Sequence, residues 1–564
     1  MPEIIPAQGH VTVVVARTQA IALAADLPRP LLAVFPNFDN WNDYGRQYFA
    51  RFVAIGAEDV SMEAHFRLMV EGRLSTATAL TDALGDQDIV PIENLLPDFV
   101  SLLPDTDQYG ELVATLGFGP AISAMRILGD AVVLNIEESD AHLLELTRSE
   151  DFHLGVLRPS GAYAALLRGA RYFRATPPPE VEDAARSFTF STTLPSADNE
   201  YSIAFDFDED PIFQDRAAVL IGKNGAGKTM LLQSIVGGLI DDLVGQDLLN
   251  MTFDPVIQVS RVLVFSSVPN DPFPKRIGAW HGIDYEHFAI SAQDQTRTDG
   301  TLAALASCLR ADRGVQFGDD DNDIGRMDLV KLALEPLGLW HRLHVPLTTK
   351  EDDDFPHVVV VGDQSFFAVR RNLNEQNSLK LIQRFDWSRS LVVFGEEGDF
   401  RRLSSGEMAM LRLAIQMAAS IEPGCLLLLD EPENHLHPNY VSQAMNLLHQ
   451  VLVATKSIAI IATHSAYVVR EVPRQRVHIL TLNDREITIA SPRLQTFGAS
   501  VDTISQFVFG DTGMDHRFQQ ALEKWALTTG REIGIDQVIA DYGQDLNPES
   551  LSLIASTIRD ADGD

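Results

Sequence analysis

The sequence predicts an α/β protein built on a mostly parallel sheet flanked by helices, with an α/β region before it and an inserted helical lobe. Three observations carry this. Short apolar runs at residues 216–221, 261–265, 425–429 and 457–462 are bounded by polar turns, as fully buried strands are. Amphipathic segments separate them, the spacing that parallel strands joined by helical crossovers require. A glycine-rich stretch, Gly222 to Thr229, falls between the first run and the helical pattern at residues 230–236.

The chain has 564 residues, 44 basic and 79 acidic side chains, a formal net charge of −35, and 45% hydrophobic residues. Such a length predicts several domains. The acidic excess repels polyanions on average, which disfavours non-specific nucleic-acid binding over the whole surface but leaves room for a local basic groove. Cys308 and Cys425 are too few for a disulfide framework, and no basic and apolar leader opens the chain, so a cytoplasmic location is expected. No apolar run reaches the roughly 20 residues that a membrane helix needs, which excludes transport through the bilayer by this chain itself.

Along the chain, residues 1–178 form an N-terminal α/β region with strands at 10–16 and 47–55 and helical spacing at 140–147 and 163–171. Three prolines, Pro177, Pro178 and Pro179, end it, since they offer no backbone donors to a sheet or helix. Residues 185–275 open the main sheet. Residues 276–385 read as the inserted lobe, with acidic clusters at 319–323 and 351–354 and helical spacing at 327–334. Residues 386–511 complete the sheet, and 512–564 extend beyond it.

Gly222, Lys223, Asn224, Gly225, Ala226, Gly227, Lys228 and Thr229 fit G-x-x-x-x-G-K-[ST]. Glycines let the backbone curl so that its N–H groups face inward, and a helix starting near Lys228 adds its positive dipole end. The result is a phosphate cradle. Lys228 is placed for β and γ phosphates, and the Thr229 hydroxyl for Mg²⁺.

Cys425 to Pro432 is a buried strand that delivers Asp430 and Glu431 at its C-terminal edge, where open parallel sheets bind ligands. Asp430 would orient Mg²⁺, and Glu431, pointing the other way, would act as the base on an attacking water. Ser404 and Glu407 satisfy a capping box before the apolar segment 408–419, so Ser404 starts a helix whose free N–H groups, with Ser405 and Gly406, can receive an anion.

In this order Gly222–Thr229, Leu403–Glu407, Leu426–Glu431 and His464 resemble the Walker A loop, signature, Walker B and switch histidine of ABC-type P-loop ATPases. The string from Asp430 to Pro438, with Ala462 to Ser465 after it, resembles the SMC-like, RecF-like and OLD-like branch rather than the transporters. Thr496 to Ala499 and Phe507 to Asp511 resemble the C-terminal part of AAA-family ATPases in bacterial anti-phage systems, such as Septu-type and retron-associated ATPases. Residues 35–44 carry a faint version of the same likeness.

The resemblance implies ATP and Mg²⁺ as ligands, hydrolysis to ADP and phosphate, and a homodimer or higher homo-oligomer. Each ATP would lie between the Walker loop of one head and Ser404, Ser405 and Gly406 of another, with His464 reporting the γ phosphate. It also implies a separate effector protein, such as a nuclease, under antiviral defence, or alternatively a DNA-repair or chromosome-maintenance role. The sequence departs from the pattern in three places. His437 stands where transporters have the D-loop aspartate, no Q-loop glutamine comes after the 261–265 run, and no heptads mark a coiled-coil arm.

Other clusters point to less. His435 and His437 lack the further ligands that structural zinc wants, and Asp319, Asp321 and Asp323 lack the glycine and last glutamate of a calcium loop. No nuclease centre stands after His464. Arg158, Arg168, Arg171 and Arg174, beside Tyr172 and Phe173, form one basic cluster, and Arg370, Arg371, Lys380, Arg384 and Arg389 form another. Either could track nucleic acid, serve as a solvated face or contact an acidic neighbour.

Overall fold

The computed structural model describes the chain apart from residues 1–8, 39–45, 94, 138–139, 148, 158–159, 174–182, 195–196, 209–215, 240–250, 268–271, 276–283, 291–299, 312–315, 318–323, 349–354, 356, 371–374, 396–397, 435, 510–516, 544, 547 and 563–564. The proline seam, both acidic clusters, Arg158, Arg174, Arg371 and His435 therefore lie outside the described residues. The chain divides after Gly498, into residues 1–498 and a helical unit from Ala499 to Asp564.

The central sheet has seven strands in the order Tyr285–Ala289, Val262–Ser266, Leu426–Asp430, Ile458–Thr463, Ala217–Ile221, Val477–Asn483, Glu486–Ala490. All neighbours run parallel except the last pair. The four expected strands are all here and fully buried, with no position left for a polar alternation. One face shares its core with the helix Lys228–Leu239 and with Phe188, Phe190, Ile203 and Phe205 of a three-stranded antiparallel sheet.

Two of the expected domain boundaries fall elsewhere. Tyr285–Ala289, which falls inside the 276–385 range expected to be the lobe, pairs with Val262–Ser266 and completes the central sheet at its edge. The interruption after that strand is not purely helical either. Besides the helices Thr301–Ala311 and Arg326–Leu334 it carries a five-stranded antiparallel sheet between Leu343 and Arg402. Its strands are three to five residues long, too short for a period-2 pattern to stand out. Likewise the head ends at Gly498 rather than 511. Thr496 donates its hydroxyl to the Val472 carbonyl at 2.6 Å and Gly498 its N–H to Arg470 at 2.8 Å, whereas Val501–Phe509 belongs to the C-terminal unit.

The N-terminal region builds its own six-stranded sheet and a core running from Val13 to Phe173. Its helix Ser160–Arg168 meets the inserted lobe: the Arg310 guanidinium lies 4.5 Å from the centre of the Tyr163 ring, a cation–π contact.

The described arginines of the first basic cluster, Arg168 and Arg171, do not form an exposed track. Arg168 and Arg171 each reach Glu422 at 2.9 Å, Phe173 is fully buried, and the Arg171 guanidinium sits 5.1 Å from the centre of the Tyr172 ring. In the second cluster, Arg384 is buried and donates to the Thr348 carbonyl at 3.2 Å, and Arg389 donates to Gln364 at 2.7 Å. These arginines hold elements together.

Ser404 caps the helix Ser405–Ser420. Its hydroxyl accepts from Glu407 N–H at 3.3 Å and its own N–H donates to Glu407 Oε2 at 2.8 Å. Ser404→Ala is expected to cost about 1 kcal/mol in a urea titration and Ser404→Gly only a few tenths, since glycine tolerates the cap backbone. Both substitutions remove the hydroxyl, so an unchanged urea midpoint in Ser404→Ala would rule out the side-chain cap as the stabilising element.

Candidate functional site

The parallel sheet brings the sequence motifs to one edge. In register, Asp430 pairs with Ala462 and Thr463 with Ile221, so three neighbouring strands end level with one another. A functional segment leaves each strand end: Glu431 after Asp430, His464 after Thr463, and the glycine loop after Ile221.

The loop takes the cradle form. Gly225 and Gly227 have φ of +82° and +93°, in the region that a side chain disfavours. At Gly222 a Cβ would lie 2.3 Å from the Leu480 carbonyl oxygen, so only glycine fits. Ala226 is buried and donates its N–H to the Lys223 carbonyl at 3.1 Å, while Asn224 is exposed on the loop. The helix Lys228–Leu239 begins directly after it. Lys228 is 5% exposed, and its Nζ donates to the Gly222 carbonyl at 3.0 Å. Burial pushes its ammonium pKa down, against the opposing pull of Glu431, Asp430 and Glu433.

Thr229 and Asp430, 201 positions apart, meet here: the Thr229 hydroxyl stands 3.0 Å from each carboxylate oxygen of Asp430, which is fully buried. Two hard oxygen donors at this separation fit a magnesium ion, which takes few protein ligands and keeps water or phosphate on the rest.

Glu431 has φ of +50°, rare for a residue with a side chain, and its N–H is tied to the Ala462 carbonyl at 2.8 Å. Its carboxylate accepts from Asn434 Nδ2 at 2.8 Å and lies 3.4 Å from His464 Nδ1. His464 is thereby brought to the same place.

One residue that the sequence did not single out also belongs here. Glu433 accepts a hydrogen bond from the Thr463 hydroxyl and one from His464 N–H at 3.2 Å, and its Oε1 stands 3.7 Å from His464 Nδ1. Within Asp430 to Pro438 only its acidic character marked it.

The helix start at Ser404 lies outside this cluster. Ser404 and Ser405 are exposed and Gly406 is half-buried, so the helix N-terminus faces outward. Behind it, Arg401 holds Glu407 with two hydrogen bonds of 2.7 Å, which, despite partial burial, brings the carboxyl down to about 2. His437 takes a structural part: its ring accepts from Asn439 N–H at 3.4 Å and caps the helix Pro438–Thr455.

A family model described as "AAA domain, putative AbiEii toxin, Type IV TA system" matches residues 342–470. The matched segment holds Leu403–Glu407, Asp430, Glu431 and His464, and the glycine loop lies upstream of it.

Among curated proteins the chain is similar to "Protein ea59" of Escherichia phage lambda, 23% identical over 435 residues, which is 71% of this chain and 72% of that protein. Solved structures similar to it include the SMC head domain from Thermotoga maritima, 13% identical, TM-score 0.29, covering 55% of this chain and 100% of that one. Another is an ATP-binding cassette of an ABC transporter in its ADP conformation, 11% identical, TM-score 0.26, covering 58% of this chain and 96% of that one. Among the described residues, no helix is long and apolar enough to cross a membrane.

Proposed function

We propose that this protein binds ATP with Mg²⁺, hydrolyses it to ADP and phosphate, and uses the cycle to join and release two heads. The reading rests on one observation above all: Lys228, Thr229, Asp430, Glu431 and His464 converge at one sheet edge from three strand ends. Thr229 and Asp430 would hold Mg²⁺, which when bound neutralises charge on the β and γ phosphates. Lys228 would release the Gly222 carbonyl to meet those phosphates. Glu431 would take the proton of the attacking water, and His464 would face the γ phosphate.

The outward-facing N-terminus of Ser405–Ser420 supports a shared site. Its free N–H groups and the Ser404 and Ser405 hydroxyls would complete the binding of a phosphate held by a second copy, so that ATP links the heads. The finer role proposed is control of a separate effector in the conflict between phage and host. A family description that names a toxin system and a relative encoded by a phage support it. Repair of DNA is the weaker alternative, because Arg168, Arg171, Arg384 and Arg389 are engaged within the chain.

Lys228→Ala is expected to abolish nucleotide binding, read by fluorescence of a labelled ATP analogue, with the fold intact by circular dichroism. Retention of nucleotide at the parental affinity would remove the phosphate-loop assignment. Co-purification with the product of a neighbouring gene, compared with and without ATP, tests the effector, and no complex in either state would count against it.

A further inference from the structure

Glu433 sits where a simple anchoring role does not account for it. Its Oε1 accepts two hydrogen bonds, from the Thr463 hydroxyl and the His464 N–H, while Oε2 is buried and accepts none from the described residues. A glutamine would provide the same anchoring oxygen without the burial penalty of a carboxylate. Burial pushes the Glu433 carboxyl pKa up, so a carboxylate here needs a use that offsets this cost, and the nearest cationic or protonatable groups are His464, whose Nδ1 lies 3.7 Å away, and the Lys228 ammonium, which interacts with it electrostatically.

The His464 ring stands between two carboxylates. Glu431 Oε1 at 3.4 Å and Glu433 Oε1 at 3.7 Å both face Nδ1, at ion-pairing rather than hydrogen-bonding distance. Of the two, only Glu433 also grips the backbone that carries the ring, at Thr463 and His464. We propose that Glu433 is a positioning residue for His464: it holds the backbone at the strand end and draws Nδ1 inward, which leaves Nε2 as the ring atom to meet the γ phosphate. Glu431 is then relieved of orienting the imidazole and stays available to water. This rests on reading the site as one for ATP hydrolysis.

The test is a double-mutant cycle with Glu433→Gln, His464→Ala and the pair, measuring steady-state ATP hydrolysis and binding of a fluorescent ATP analogue. Glu433→Gln is expected to bind the analogue as the parent does and to lose about 10–100-fold in kcat, the range typical of partners that orient a functional imidazole. In the His464→Ala background the same substitution is expected to cost nothing more, because nothing remains to orient. Parental kcat in Glu433→Gln, or losses that simply add, would overturn the assignment. Should Glu433→Gln fail to fold, Thr463→Val, which removes one of its two donors, is expected to lower kcat without changing analogue binding, and an unchanged kcat there would overturn it equally. A parental protein that neither binds nor hydrolyses ATP would instead overturn the reading of the whole site, which separates the two failures.

Discussion

Glu431→Gln is expected to keep nucleotide and lose turnover, with hydrolysis falling about 10²–10⁴-fold, the contribution of a positioned general base. The substitution is nearly isosteric, so the amide can still accept from Asn434 Nδ2, and the backbone tie from Glu431 N–H to Ala462 is untouched. What disappears is the negative charge and, with it, the ability to take a proton. Since Lys228, Thr229 and Asp430 are unaltered, ATP should bind as before, and heads joined by it should no longer come apart. Size-exclusion chromatography with ATP should then show a dimer that the parental protein forms only transiently. Hydrolysis at the parental rate would mean that the base lies elsewhere; loss of binding would mean that Glu431 supports the cradle instead.

Glu422→Ala is expected to destabilise residues 1–498 by about 3–5 kcal/mol, the cost of leaving buried charge without its partner. Four arginines from three parts of the chain converge at the C-terminal end of the helix Ser405–Ser420. Arg168 donates to the Ala419 carbonyl at 3.2 Å, Arg261 to Ser420 at 3.1 Å, and Arg326, fully buried, to Ile421 at 3.1 Å and to Ala418. Arg171 reaches Glu422 directly at 2.9 Å. Helix-end carbonyls carry partial negative charge and favour such cations, but Glu422 is the full charge that balances them.

Burial alone would raise the Glu422 carboxyl; Arg168, Arg261, Arg171 and Arg326 outweigh it and hold it at about 2, below its ordinary 4.5. A depressed carboxylate stabilises the fold above its unfolded pKa and loses that contribution as pH falls towards 2. Urea midpoints of parent and Glu422→Ala should accordingly differ most near neutrality and converge in acid. A constant difference across that range would show that Glu422 acts through packing rather than charge. Because Arg168 and Arg171 come from the N-terminal region and the helix begins at Ser404, this cluster also ties that region to the head.

Most of the candidate site was legible because its chemistry is local. A phosphate cradle needs glycines, a lysine and a hydroxyl in one unbroken loop, and a strand that ends in two acids announces itself. The lobe's sheet was not legible, since strands of three residues show no period, and neither was the edge strand Tyr285–Ala289, whose residues are all half-buried. Of the readings open to Arg168 and Arg171, the one that applies, contact with an acidic neighbour, was hidden for a related reason. A cluster of like charges reads as a surface until the opposite charge appears, and Glu422 lies about 250 positions away.

The sequence by itself determined which residues can make a phosphate loop, a metal pair, a base and a capped helix, because each depends on neighbours a few positions apart. Only the tertiary structure decided that Thr229 stands against Asp430, that Glu433 joins His464, and that the arginines turn inward. Those pairings come from the order of strands in the sheet, where the strand at Ile458–Thr463 separates two others, and sheet order is set by burial summed over the whole head rather than by any one segment.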